Sequence, residues 1–291
     1  MNDLFADERE QIILASPTDL VGFRRAARRL VASCIAPERV AWHTTGVAGE
    51  KGTQGNDHAP AIGVNADFTS LCKTAILHSD PARFELLYRL LWRMAHDPGL
   101  QHDPLDADML QAEHLAKAVR RDIHKMKAFV RFRTVLDETF KAQPTSGPLH
   151  VAWFEPEHHI VEAIASFFAR RFTQMRWAIL TPERCMAWDG AAIRFSPGAQ
   201  KSDAPPPDAG EALWLTYYQN TFNPARLKLK MMQKEMPRRF WHNLPEAQLI
   251  SGLSASANQR QTQMIARAPS TPQRRIPAFK PQHEAQQALY I

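Results

Sequence analysis

Within Trp153-Phe154-Glu155-Pro156-Glu157-His158-His159, two carboxylates and two imidazoles fall inside five residues. These are the groups that acid–base catalysis and divalent metals use. The pattern puts Glu155, Glu157 and His158 where a strand over 149–154 hands over to a helix over 157–172, so that they project from a rigid edge. Metal-binding helices space their ligands four apart, whereas adjacent His158 and His159 point about 100° apart on a helix. Glutamates near a helix start also serve as caps and dipole partners. Glu155, Glu157 and His158 therefore stand as candidate catalytic or substrate-contacting residues, with no metal and no cofactor expected.

A second group of residues acts through charge. In AKAVRRDIHKMKAFVRFR, residues 116–133, a helical pitch gathers Val119, Ile123, Met126 and Val130, with the preceding Leu115, on one side. Lys117, Arg120, His124, Lys127 and Arg131 gather on the other. Asp122, set among guanidinium groups, is expected to orient them. Residues 115–134 hold seven Lys or Arg against Asp122, and residues 223–241 hold six, Arg226, Lys228 and Lys230 among them, against Glu235. The two clusters carry a net +11 and the remaining chain −5, against +6 overall. Concentrated charge attracts phosphates and releases counterions, whereas a diffuse excess bears mainly on solubility. Phe129, Phe132, Phe240 and Trp241 interleave with the cations, a pattern that favours nucleic acid over a merely solvated face. Trp214, Tyr217, Tyr218 and Phe222 follow helical spacing and read as core rather than as a base-stacking platform.

At 291 residues and 44% hydrophobic, the chain can bury a substantial core without a metal or a disulfide. Cys34, Cys72 and Cys185 are far apart with no CxxC, and read as reduced core thiols. The polar, acidic N-terminus and the lack of any run of about 18 apolar residues point to a cytoplasmic protein with no membrane partner. The usual glycine-rich nucleotide loops, GxSxG and calcium loops are absent from the sequence.

The elements that must position these groups are legible in outline. Strands are expected at 11–16 and 39–43, with a helix over 18–34 between them and a mobile Gly-rich loop over 44–60. Asp80-Pro81, Asp103-Pro104 and Asn223-Pro224 each read as a capped helix start, the second leading into the basic stripe. After a break at 141–148 come strands at 149–154 and 177–180. A hairpin of 185–188 and 192–195 turns at Asp189-Gly190. Helices over 211–222 and 224–236 follow, and from about residue 254 the composition is that of a linker. The fold class is α+β, mostly helical with a small, largely antiparallel sheet and a disordered C-terminal tail. Residues 1–252 form the α+β domain, with a subdivision at 141–148 left open, and 253–291 the flexible tail. Residues 40–43 were free, on sequence grounds, to pair with the later strands.

The blocks DLVGFRRAARRLVASCIAPERVAW, ARFELLYRLLWRMAH, AKAVRRDIHKMKAFVRFR, VAWFEPEHHIVEAIASFFARRF, MRWAILTPER and FNPARLKLKMMQKEMPRRFWHNLPEAQLI, spanning about residues 11–252, resemble a bacterial family of domains of unknown function linked to DNA metabolism and DNA repair. Members of that family occur beside a radical SAM protein or fused ahead of an X-type uracil-DNA glycosylase. The resemblance implies DNA as a partner, together with such a glycosylase or radical SAM protein. It carries over no glycosylase pocket, iron–sulfur cluster or catalytic residue. Three functions follow as expectations: a DNA-binding accessory module, an enzyme acting on a nucleic-acid base or backbone through Glu155, Glu157 and His158, or a protein-interaction scaffold.

Overall fold

One long helix, carrying an apolar stripe along its length, joins two cores. In the computed structural model, which describes residues 9–45, 63–97, 99–100, 103, 105–135, 148–206, 211, 215–216, 219 and 229–266, this helix is α4 (Ala107–Phe129). Before it come β1 (Glu10–Leu14), α1 (Leu20–Ala32), β2 (Val40–Thr44), α2 (Ala66–Ala75) and α3 (Arg83–His96). After it come β3 (Arg133–Val135), β4 (Leu149–Trp153), α5 (Val161–Arg171), β5 (Arg176–Leu180), β6 (Arg184–Trp188) and β7 (Ile193–Pro197). The described chain closes with α6 (Leu229–Glu235), α7 (Ala247–Ala255) and α8 (Ala257–Ala266).

The fold is α+β with a helical majority. A five-stranded sheet runs in the order β3-β4-β5-β6-β7. Its β4–β5 pair is parallel and its other three pairs are antiparallel. The β6–β7 hairpin turns where expected: the Asp189 carboxylate accepts the amides of Ala191 and Ala192, and Gly190 takes a φ of 102°, which glycine adopts without steric cost. Residues 40–43 do not join this sheet. They lie in β2, which pairs in parallel with β1, because α1 returns the chain in the same direction as a βαβ crossover does.

Ala112, Leu115 and Ala116 of α4 pack into the first core, around Leu30, Leu87 and Tyr88. Val119, Met126 and Phe129 pack into the second, around Phe154, Phe168 and Trp177. A stripe at three- and four-residue spacing thus serves two sets of neighbours in succession.

Two expected caps are displaced. Asp80 and Asp103 accept the amides two residues on, from Ala82 and Leu105, so each Asp-Pro forms an Asx turn ahead of its helix. α3 begins only at Arg83. The cap of α4 is Asp106, whose carboxylate accepts the Met109 amide at 3.0 Å and pairs with Arg93 at 2.6 Å. Asp106→Ala should therefore cost about 1–2 kcal/mol of stability, and Asp103→Ala no more than about 0.5 kcal/mol. Urea denaturation distinguishes the two; equal losses would return the cap to Asp103.

At the C-terminal end, helix continues through residue 254, where composition predicts a linker, and on to Ala266. Ile250, Leu253 and Ala257 anchor it by burial. Of the loop expected over 44–60, Thr44 instead ends β2; its residues 46–60, residues 141–147 of the break expected over 141–148, the Asn223-Pro224 start and the tail beyond 266 lie outside the described residues.

Candidate functional site

With its apolar stripe turned inward, α4 presents Lys117, Arg120, Arg121, His124 and Lys127 to solvent. At 1.5 Å per residue this ladder spans about 15 Å. Among the described residues Lys117, Arg120, Arg121 and His124 meet no carboxylate in an ion pair, and the Lys127 ammonium lies 4.6 Å from the Phe167 ring centre. Arg121 is absent from the sequence-derived set, although it lies four residues after Lys117 and three before His124, the spacing of one helical face.

Arg131 leaves the ladder. The helix stops at Phe129, and the Arg131 guanidinium donates to the Ala128 carbonyl and to buried Glu246, the latter at 2.7 Å. It ties the end of α4 to the start of α7. Lys125 likewise binds the Glu235 carbonyl, and the Phe129 and Phe240 rings lie 5.3 Å apart. These three contacts draw the second basic cluster against the first. Lys230, Lys234, Arg238 and Arg239 are exposed beside it, whereas Arg226 and Lys228 lie outside the described residues.

The aromatic residues between the cations are not a stacking platform. Phe129 and Phe240 are buried, Phe132 packs on Phe172 and Trp177, and Trp241 donates its indole N–H to the Met236 carbonyl. Their spacing follows the apolar stripe, so they hold the basic face in place from beneath. Trp214, Tyr217, Tyr218 and Phe222 lie outside the described residues.

The segment 154–160 is a loop, and α5 begins only at Val161, without a side-chain cap. Successive residues of this loop diverge. Glu155 accepts the Trp153 indole N–H at 2.9 Å and meets His242 at 3.0 Å. Burial pushes its carboxyl up, but these two hydrogen bonds outweigh it and hold the group below the usual range. Glu157 forms an ion pair with Arg239. His158, only 8% exposed, turns to α3's approach: its Nδ1 accepts the Ser79 amide at 3.3 Å and lies 3.1 Å from the Ser79 hydroxyl. Its ring centre is 4.2 Å from that of His78. Burial, then the neighbouring His78, His159 and Arg121, lower its pKa to about 4. The imidazole is neutral at physiological pH, with its proton on Nε2. Glu155, Glu157 and His158 are thus not brought together as an acid–base set.

Asp122 has a different role from the one its guanidinium neighbours suggest. It lies three residues after Val119 and four before Met126, on the inward stripe, and is 1% exposed. Its Oδ2 accepts the amides of Glu157 at 2.8 Å and His158 at 3.0 Å, while Oδ1 is buried without a partner. Burial raises its pKa to about 6, against the opposing pull of the His158 amide and Arg239. Asp122 therefore fastens the 154–160 loop to the basic helix.

Among the described residues no group of three or more His, Cys, Asp or Glu is placed to hold a metal, and no helix is long and apolar enough to cross a membrane. Cys72 and Cys185 are buried thiols as expected; Cys34 is exposed, at the turn that ends α1.

A model of a family described as a domain of unknown function, DUF4130, matches residues 81–246. That span takes in α3, the basic ladder, the Asp122 anchor and the 154–160 loop. No curated protein and no solved structure matches the chain.

Proposed function

We propose that this chain, which belongs to the DUF4130 family of domains of unknown function through residues 81–246, is a DNA-binding accessory module of DNA repair or DNA metabolism. The observation that carries the reading is the ladder of exposed side chains on α4, the cations Lys117, Arg120, Arg121 and Lys127 with His124 among them. Duplex DNA carries one charge per ~1.7 Å of axis, so a 15 Å row of cations meets several phosphates at once. Lys230, Lys234 and Arg238 widen the same neighbourhood, and Arg226 and Lys228 belong to the same basic run of sequence. The partner is the one the sequence resemblance implies, a uracil-DNA glycosylase or a radical SAM protein, which does its chemistry on DNA that this module holds in the cytoplasm. Glu155, Glu157 and His158 do not converge, so the reading assigns no catalysis to them.

Fluorescence anisotropy with labelled single-stranded and duplex DNA over a salt series tests the proposal. Four or five neutralised phosphates give a slope of log affinity against log salt of about −4. Absence of binding at low salt would overturn it. Salt-steep binding to an acidic protein but not to DNA would assign the same face to a protein partner.

A further inference from the structure

Two parallel strand pairs empty into one cavity. β1 and β2 run parallel, as do β4 and β5, and the residues just past the carboxyl ends of all four line a space of about 600 Å³. Ser16 follows β1, Thr44 ends β2, His158 follows β4 and Thr181 follows β5. The crevice beyond the carboxyl ends of parallel strands is where open α/β sheets hold ligands, and this volume suits a small organic molecule.

The walls are firmly built. Buried Arg83 donates to the carbonyls of Pro17, Ile76 and Asp80 at 2.7–2.8 Å, pinning the loop after β1 to the start of α3. The His159 amide donates to the Leu77 carbonyl at 2.9 Å, and His158 is held through Ser79. With Nδ1 so engaged, the His158 Nε2–H has no acceptor among the described residues, and His158 is one of the residues that line the cavity. Charged residues at the rim pair off, Glu162 with Arg184 at 2.9 Å and Glu183 with His159 at 2.7 Å. What remains inside is uncharged and mostly apolar, walled by Ala15, Pro17, Pro156 and Val161. The hydroxyls of Ser16, Thr18, Thr45 and Thr181 are engaged in local hydrogen bonds, so that the Thr44 hydroxyl and the His158 imidazole are the polar groups left to a ligand. A phosphate finds no unpaired cation there, whereas a flat, largely apolar group with polar atoms at its edge finds partners.

We infer that this cavity accepts a single unstacked nucleobase, with the His158 Nε2–H donating to an acceptor on the base edge, the Thr44 hydroxyl facing another of its polar atoms and the apolar walls holding the ring. The inference rests on the DNA reading of α4. Asp122 joins that helix to the backbone of His158, and Arg121, on the basic ladder, is near enough to His158 to depress its pKa. On this inference a strand leaves the ladder at Arg121 and passes toward His158. Phosphates stay on the charged exterior and the neutral base turns inward, as in proteins that read a base outside its stack.

The test uses the full chain and DNA carrying one 2-aminopurine, either opposite a mismatch or fully paired, with 2-aminopurine riboside as the free nucleoside. Fluorescence of the mismatched probe should rise on binding. Thr44→Trp and Ser16→Phe, which fill the cavity, should abolish the rise while leaving anisotropy with fully paired duplex unchanged. His158→Asn, which keeps a partner for Ser79, should weaken the mismatched complex about tenfold, the effect of one lost hydrogen bond. DNA binding without a rise, or with a rise that survives both filling variants, overturns the nucleobase assignment and leaves the α4 reading standing. If no DNA binds, the α4 reading fails. Riboside binding blocked by Thr44→Trp then assigns the cavity to a free nucleoside, and its absence rejects the cavity as a nucleobase site.

Discussion

Reversing Arg120, Arg121 and Lys127 together to glutamate should abolish measurable DNA binding while leaving the fold intact. Three phosphate contacts account for about 2.7 of the salt slope, and reversal also places three negative charges against the backbone. At about 0.1 M salt the expected loss is on the order of a thousandfold or more. All three side chains are exposed, and glutamate is as good a helix former as arginine or lysine, so stability should change by about 0.5 kcal/mol at most per site. Arg131 is excluded from the set because its removal takes a guanidinium partner from the buried Glu246 carboxylate, and lost binding would then report a disturbed fold. Single changes should rank unequally. Arg120 borders a groove that also holds Asp67 and Glu113, which weaken the local field, whereas Arg121 lies on the His158 side. Arg121→Ala should therefore cost more affinity than Arg120→Ala. A folded triple variant that binds like the unaltered protein would remove α4 from the interface.

What the sequence made legible follows from periodicity. The inward stripe of α4 and the β6–β7 hairpin each repeat an element's own spacing, and each stands as read. Boundaries set by competing local chemistry shifted: at Asp80 and Asp103 an Asx turn intervened before the helix, and at Glu157 the loop continued to Ile160. The three-residue strand β3 is too short to show alternation, and it begins inside the basic run. Site residues were read by type, and type does not tell which way a side chain turns. Glu155 and Glu157 meet His242 and Arg239 from a distant segment, and His158 meets Ser79, 79 residues earlier. The cavity depends on four strand ends brought together by tertiary packing, which no local pattern encodes. Asp122 was read by type as well, as a carboxylate that orients its guanidinium neighbours, although its spacing from Val119 and Met126 is that of the inward stripe on which the fold buries it.

Asp122 should also set the pH dependence of stability between about pH 4 and pH 6. Its carboxyl titrates near 6 in the fold against 3.8 when unperturbed, since burial disfavours the charged form. A group raised in the folded state favours folding fully below its unfolded pKa. That contribution is lost as pH rises through the folded value, so by pH 7 on the order of 3 kcal/mol has gone. Asp106 and Asp108, held below the usual range first by their hydrogen bonds to Arg93 and Arg89, act in the opposite sense and lose stability as pH falls. Comparison with Asp122→Asn cancels them, because only the group at 122 differs. The amide oxygen can still accept the amides of Glu157 and His158 but cannot ionise. Urea denaturation should therefore show Asp122→Asn gaining on the unaltered protein by about 2.4 kcal/mol from pH 4 to pH 7. Asp122→Ala should lose about 2–4 kcal/mol at pH 4, because it leaves two inward-facing amides without an acceptor. Parallel pH profiles for the unaltered protein and Asp122→Asn would mean that the carboxylate is solvated in solution. The link from the basic helix to the His158 wall would then have to run through the packing of Val119 and Met126 rather than through this hydrogen-bonded anchor.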